Sequence, residues 1–448
     1  MLKTNSLVDL TDLKMYVNGE WIEAKDGKTI SVMNPSTGKM IANVPNGGRF
    51  ETRQAIEAAE HAFKSWSKLT ANDRAQYLLK LRDLMHEYKD ELAEIVSLEM
   101  GKPITEAKGE VVFAASYLEW FAEEGRRIYG ETIPASVPNK RLLVIRQPIG
   151  VVAAITPWNF PLAMMTRKLG PALASGCTGI VKPAKQSPIS AIAFCKLVEM
   201  AEIPRGVINL VIGNAGPISD EIFENPIVRK ISFTGSTEIG KLLVTKSASQ
   251  LKRLSLELGG HAPFIVFEDA DLEAAASGAV ASKFRNTGQT CVCANRIYVQ
   301  RSVLDKFSEI FVKKVQALKV GNSLDPSVQV GPLVSSEGLE KVEEHVHDAL
   351  AKGARVLCGG QRIGGELSEG LFYEPTVLAG VNTDMLITKE ETFGPVAPII
   401  PFDTEEEVIQ YANNTEYGLA AYFYTQNISR AVRVSEALEF GIVGLNDS

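Results

Sequence analysis

Cys291 lies in the run Phe284-Arg285-Asn286-Thr287-Gly288-Gln289-Thr290-Cys291-Val292-Cys293-Ala294-Asn295-Arg296, a thiol carried among small and polar residues. That is not the setting of a cysteine used as a small core hydrophobe, which is how Cys177, Cys195 and Cys358 read beside their apolar or small neighbours. Glu257 lies in Leu254-Ser255-Leu256-Glu257-Leu258-Gly259-Gly260, an acid at the end of an alternating strand with two glycines behind it. A thiolate nucleophile and a carboxylate base make a catalytic pair. Taken alone, Glu257 would be a solvated strand-end acid; its neighbours favour the base.

Three further groups extend this chemistry. In Thr156-Pro157-Trp158-Asn159-Phe160-Pro161 two prolines stiffen the backbone that presents Asn159. Its amide can donate to an oxyanion formed when Cys291 attacks a carbonyl, with the Cys291 N–H as second donor. An Asx-turn asparagine would explain an isolated Asn-Phe-Pro but not this company. Arg167 follows in the next helix and Arg285 sits just before Cys291; two arginines near a nucleophile suit a substrate with a carboxylate at its far end. Two structural ion pairs are the other reading. Cys293 is close enough to Cys291 to resolve an oxidised thiol as a disulfide, or it simply packs.

The elements that must position these groups are legible as periodicity. Val17-Asn18-Gly19-Glu20-Trp21 predicts a hairpin turning on Asn-Gly. Ile56, Ala59, Phe63 and Trp66 recur at helical spacing. Leu78, Leu81, Met85, Tyr88, Leu92 and Ile95 predict one longer amphipathic helix, stopped by Gly101 and Pro103. From Val151 onward short apolar strands alternate with helices: Val151–Thr156, Thr178–Lys182, Val207–Ile212, Lys230–Thr234 and Leu251–Leu258. That texture predicts an α/β fold with a doubly wound parallel sheet. A second series from Ala262, with Ile297–Val299, Arg355–Leu357 and Ala420–Tyr424, predicts a second α/β domain. The break at Gly259-Gly260 puts Glu257 and Cys291 on opposite sides of a domain junction, where ligand sites are commonly found. Residues 1-128 and 147-259 then form the first domain and 260-448 the second, while 129-146, with Pro134 and Pro138, reads as a separate hairpin.

Composition narrows the class. At 448 residues the chain exceeds what one core sustains, and 45% hydrophobic with 23% charged residues is ordinary for a soluble protein. Net charge is −7 without a basic block, which argues against a nucleic-acid partner. Five cysteines are too few for a disulfide framework and point to a reducing, cytoplasmic setting. Met1 to Met15 alternates polar and apolar residues without a signal-peptide core, and the apolar stretch around Val151 to Ile155 is far short of a membrane span. His345 and His347 are spaced wrongly for one helix face, so no metal site is expected.

Together these motifs resemble the aldehyde dehydrogenase superfamily over nearly the whole chain, and Cys-Val-Cys-Ala-Asn-Arg is most similar to its succinate-semialdehyde dehydrogenases. The resemblance implies that Cys291 attacks an aldehyde to give a thiohemiacetal, that hydride passes to a nicotinamide to leave a thioester, and that Glu257 deprotonates the hydrolytic water. It assigns Phe233-Thr234-Gly235-Ser236-Thr237-Glu238-Ile239-Gly240 to the pyrophosphate; Gly235, Ser236 and the helix N-terminus suit a phosphate. By the same likeness Lys182 bonds the adenosine ribose. NAD-preferring members commonly carry glutamate where this chain has Lys185, and a lysine attracts a 2′-phosphate, so NADP is expected with NAD as the alternative. Glu391 and Phe393, in Lys389-Glu390-Glu391-Thr392-Phe393-Gly394-Pro395, would hold the nicotinamide ribose and flank the ring, with Thr156, Trp158 and Leu258 completing the cofactor set. Arg167 and Arg285 match the positions that bind the substrate carboxylate.

The likeness also implies that 129-146 is an oligomerisation arm and the protein a homo-oligomer, dimer or tetramer. The family pattern runs on beyond Gly444-Leu445-Asn446 through a Pro-Phe-Gly-Gly segment, a substrate-side serine and a final strand, whereas this chain stops at Ser448. A C-terminus truncated relative to the family is therefore expected, with part of the pocket and interface missing if the protein ends there. The expected reaction is oxidation of succinate semialdehyde to succinate. Another short ω-carboxyl aldehyde such as glutarate semialdehyde is the alternative, and a non-catalytic cofactor-binding protein is the reading from a different class.

Overall fold

The computed structural model describes residues 7–448; the first six residues of the Met1–Met15 stretch lie outside the described residues. The chain divides into two compact units. One holds the residues up to Met33, Met40–Glu99 and Ala107–Glu257, and the other holds Asn34–Lys39, Met100–Glu106 and Leu258–Ser448. The segments 34–39 and 100–106, grouped with the first domain in the sequence reading, go with the second unit.

In the first unit a seven-stranded sheet runs in the order Arg253–Glu257, Val228–Thr234, Val151–Ile155, Thr178–Lys182, Ile208–Leu210, Met15–Val17, Glu20–Ile22. The first five strands are parallel, and the hairpin Met15–Val17/Glu20–Ile22 joins antiparallel at one edge. Val151–Ile155 and Thr178–Lys182 are almost wholly buried, which is why their sequences are near-continuous apolar runs rather than alternations. The chain winds outward in both directions from Val151–Ile155, so the order reverses beside that strand. Ile155 pairs with Lys182 and Phe233, and Thr234 pairs with Glu257, so these carboxyl-end residues stand side by side. The carboxyl ends of strands at such a reversal are where open α/β sheets place ligands. Asn18 (φ 53°) and Gly19 (φ 76°) form the expected Asn-Gly turn.

The single long helix expected through Tyr88 is two, Ala71–Glu87 and Lys89–Met100, because Tyr88 leaves helical geometry (φ −94°, ψ 21°). The apolar spacing continues unbroken across that break, with Leu78, Leu81, Met85, Leu92 and Ile95 all buried. Glu131–Ile133 and Leu142–Val144 form a separate two-stranded antiparallel sheet whose residues are exposed.

The second unit has its own seven-stranded sheet, ordered Arg355–Cys358, Thr376–Ala379, Val396–Phe402, Ala294–Gln300, Ala262–Val266, Ala420–Tyr424, Ile442–Leu445. All neighbours are parallel except the edge strand Arg355–Cys358. Phe264, Ile297 and Val299 lie in one of its cores, with Phe307 and Phe311 of helix Leu304–Gln316. Cys177 and Cys195 are buried as expected; Cys358, on the antiparallel edge, is only half-buried.

Candidate active site

In the first unit the central strand runs into Thr156, whose N–H donates to the Lys182 carbonyl oxygen at 3.1 Å, and on to Asn159, which is buried. Pro161 occupies the first turn of helix Pro161–Ala174, where its missing N–H has no intrahelical role to lose. The orphan N–H groups of Leu162 and Ala163 donate to Glu110 Oε1 at 2.9 and 3.3 Å, which fixes the start of that helix. Glu110 escaped the sequence reading because nothing in its own neighbourhood announces it.

Arg167, further along the same helix, places Nη2 3.4 Å from Glu257 Oε2, and its guanidinium lies 5.9 Å from the Tyr117 ring. The two residues assigned separate tasks from sequence are thus ion-pair partners. Next to Arg167, Lys168 is buried and its Nζ donates to Thr234 Oγ1 at 2.7 Å and Ser232 Oγ at 3.3 Å. Burial, and then the neighbouring Arg167 charge, push Lys168 down to about 8. Arg167, Lys168 and Glu257 line a cavity of about 1070 Å³ in this unit.

In the second unit the segment that carries Cys291 is built from constrained backbone. Helix Leu272–Phe284 ends before Arg285, and three successive residues, Asn286 (φ 51°), Thr287 (φ 60°) and Gly288 (φ 74°), adopt left-handed conformations. Two of the three carry side chains, so surrounding contacts must hold the turn in place. Asn286 N–H donates to Glu106 Oε2 at 2.7 Å, and Thr287 Oγ1 donates to the Gly331 carbonyl oxygen at 3.1 Å. Gln289 Nε2 donates to the Asn286 carbonyl oxygen at 3.0 Å, while its Oε1 accepts from Val334 N–H at 2.9 Å. A side chain at Gly288 would run into the Gly394 carbonyl oxygen. Burial raises the Glu106 pKa, opposed by Lys102 and the Asn286 N–H.

Cys291 follows this turn, half-buried, and any Cβ at Gly260 would collide with its carbonyl oxygen. Cys293 is 1% exposed; its Sγ donates to the Gly288 carbonyl oxygen at 3.3 Å and lies 3.8 Å from Lys283 Nζ. Lys283 is fully buried, donates to Asn295 Oδ1 at 2.8 Å, and is pushed down by burial. Arg285 is exposed, and Tyr422 Oη donates to the Val292 carbonyl oxygen at 2.7 Å. Glu106 and Lys283 were not singled out from sequence, and Gln289 was read only as part of the motif.

The cofactor candidates divide between the units. In the first, Lys182 is 8% exposed and its Nζ makes no hydrogen bond or ion pair among the described residues; burial, then the nearby Lys185 charge, push it down to about 8. Lys185 is exposed. Gly235 N–H donates to the Glu257 carbonyl oxygen at 3.1 Å, and Ser236 caps helix Thr237–Ser247 by accepting from Ile239 N–H at 3.4 Å. An unpartnered buried ammonium beside a second lysine at the carboxyl edge of the sheet suits an anionic, hydroxyl-rich group, so these residues fit a dinucleotide. In the second unit Glu391 Oε1 accepts from Gly260 N–H at 3.1 Å, and burial pushes its carboxyl up to about 7. Phe393 is held at φ 53°. His345 is buried with Nδ1 3.2 Å from Thr392 Oγ1, whereas His347 is exposed.

Residues 21–448 match the aldehyde dehydrogenase family, and the chain belongs to it. An NADP-dependent succinate-semialdehyde dehydrogenase of Escherichia coli K12 is 56% identical over 430 residues, spanning 96% of this chain and 89% of that protein. A glutarate-semialdehyde dehydrogenase of Pseudomonas putida is 55% identical over 431 residues, spanning 96% and 89% respectively. Among solved structures, an E. coli NADP-dependent enzyme superposes with TM-score 0.96 at 55% identity, covering 98% of this chain and 90% of that one.

Proposed function

We propose that this aldehyde dehydrogenase oxidises succinate semialdehyde to succinate, with NADP as cofactor and NAD as the alternative. Arg167 carries the substrate class: a guanidinium 44% exposed on a cavity wall, beside the proposed base, can take a distal carboxylate through charge-assisted hydrogen bonds. The two relatives named above act, by their names, on ω-carboxyl aldehydes, which supports the same class. Glutarate semialdehyde stays as the second reading, favoured by the 55% identity to the P. putida protein.

In this reading Cys291 attacks the aldehyde carbon as thiolate, and the Asn159 amide and the Cys291 N–H donate to the oxyanion that forms. The bound nicotinamide supplies the acceptor for the hydride lost as the thioester forms. Glu257 takes a proton from water, whose oxygen adds to the thioester carbonyl, and the thiolate leaves as the acid is released. Arg167 and Arg285 bind the far carboxylate. Gly235 and Ser236 would hold the pyrophosphate, Lys182 the adenosine ribose and Lys185 its 2′-phosphate. Thr156, Trp158 and Leu258 would border the cofactor, and Glu391 and Phe393 would hold the nicotinamide ribose and flank the ring. A Cys291–Cys293 disulfide would first require Cys293 Sγ to leave the Gly288 carbonyl.

We also infer a homo-oligomer, dimer or tetramer, joined through the 129-146 arm; Leu143 and Ile145 are 75% and 71% exposed there, and the hairpin has open edges. Cytoplasmic placement rests on composition. No helix among the described residues is long and apolar enough to cross a membrane.

Arg167→Ala tests the substrate class. KM for succinate semialdehyde should rise about ten- to a hundredfold, the worth of one charge-assisted partner, and butanal should show no comparable loss. Equal losses of kcat/KM on both aldehydes would make Arg167 structural and remove the basis for the semialdehyde.

A further inference from the structure

We propose that Arg167 latches Glu257 in the substrate-free enzyme and that the distal carboxylate of the substrate releases it, so that recognition of the substrate frees the base. This rests on Glu257 being the base and Arg167 a carboxylate binder.

Both ends of the latch are fixed through backbone. Helix Pro161–Ala174 is buried along almost its whole length and its first turn is tied to Glu110, so Arg167 can move only by side-chain rotation. Glu257 ends strand Arg253–Glu257, paired with Thr234, and its carbonyl oxygen accepts from Gly235 N–H at 3.1 Å. Between these anchors, Arg167 Nη2 meets Glu257 Oε2 at 3.4 Å. Among the described residues neither side chain has another ion-pair partner. Lys168, the next cation along, is committed to the hydroxyls of Thr234 and Ser232.

The pair is loose enough to exchange. Arg167 is 44% and Glu257 25% exposed, and ion pairs of such exposure hold weakly. Arg167 touches Glu257 through Nη2 alone, and a carboxylate that takes the guanidinium fork in bidentate fashion must use that same nitrogen and repels Glu257. A substrate carrying its own carboxylate therefore competes with Glu257 for Arg167. Glu257 Oε2, once free of the guanidinium, faces the cavity and can accept a proton from water. An uncharged aldehyde would acylate the enzyme but leave the latch closed, so thioester hydrolysis would lag. Selectivity for ω-carboxyl aldehydes would then appear in kcat as well as in KM.

The test supplies the substrate in two pieces. Propanal and formate together match the length of succinate semialdehyde, and chloride at equal ionic strength is the control. On the full-length enzyme with NADP, formate should raise kcat for propanal saturably, about two- to fivefold, the range an ion pair of this exposure can hold back. Intact-mass spectrometry of quenched samples should show the propanoyl-enzyme fraction at steady state falling in parallel. In Arg167→Ala the propanal rate should be independent of formate and at least equal to the formate-saturated wild-type rate. Formate acting only as an inhibitor, or not at all, would overturn the latch. If Arg167→Ala still loses selectivity for succinate semialdehyde over butanal in that case, the carboxylate-binding role stands and the latch alone fails. If that selectivity is unchanged, both fail.

Discussion

The residues around Cys291 and those around Glu257 are held in opposite ways. Ahead of Cys291 the backbone is buried and left-handed over three residues, fixed by hydrogen bonds donated to Glu106 and Gly331 and by one donated from Gln289. Around Glu257 the backbone is ordinary strand and helix, and the side chains of Arg167 and Glu257 are partly exposed on the wall of a large cavity. A nucleophile that forms a bond must be aligned to within fractions of an ångström, and constrained backbone supplies that. A group that greets a substrate and then activates water must change partners, and exposed side chains allow that.

The sharpest way to break the comparison is at the thiol. Cys291→Ala should lower turnover roughly a thousandfold or more while calorimetry shows NADP still binding, because the thiol makes the covalent bond but does not hold the dinucleotide. Substantial remaining turnover would assign the nucleophile elsewhere. Glu106→Ala tests whether the constrained turn matters: kcat should fall on the order of a hundredfold and alkylation of Cys291 by iodoacetamide should slow. Glu106→Gln keeps an oxygen that can accept from Asn286 N–H, so it should recover most of both. If the two variants are equally impaired, the charge of Glu106 rather than its acceptor oxygen is what counts.

Smaller effects belong to the open side and to the ribose carboxylate. Lys185→Glu should move the NADP/NAD ratio of kcat/KM toward NAD by about tenfold, since an attraction becomes a repulsion. An unchanged ratio would mean that Lys185 points away from the cofactor. Glu391 is raised from 4.5 to about 7 by burial, so its protonated form is the one the fold favours. That contribution is complete below the unfolded value of 4.5 and is lost as pH rises through 7. Between those limits the wild-type Tm should fall relative to Glu391→Gln, and parallel curves would show that the carboxyl is solvated.

The strands of the first sheet were legible to within about two residues because burial on both faces writes itself as an apolar run, Val151–Ile155 being the clearest. The helix break at Tyr88 was not, since the apolar spacing passes through it unchanged. Val396–Phe402 was missed for another reason: Pro398 and Pro401 argue against a central strand, yet it pairs on both sides. Cys291, Asn159 and Glu257 stood out as candidates because each sits in a local pattern that no core residue needs. Their supports did not. Glu106 meets Asn286, Glu110 meets Leu162 and Arg167 meets Glu257 only through the tertiary fold, and no periodicity links positions so far apart.

The bond between Glu106 and the turn before Cys291 joins residues 180 apart in the chain. Closing so long a loop costs entropy that nearer contacts must offset first, so this contact belongs to the late part of folding. On the reading of Cys291 as the nucleophile, a partly folded chain would carry an ordinary thiol at position 291, and a reactive one would exist only once the surrounding unit is complete. During synthesis such a delay would keep that thiol from premature chemistry, and the onset of its reactivity would mark the moment the unit has finished folding.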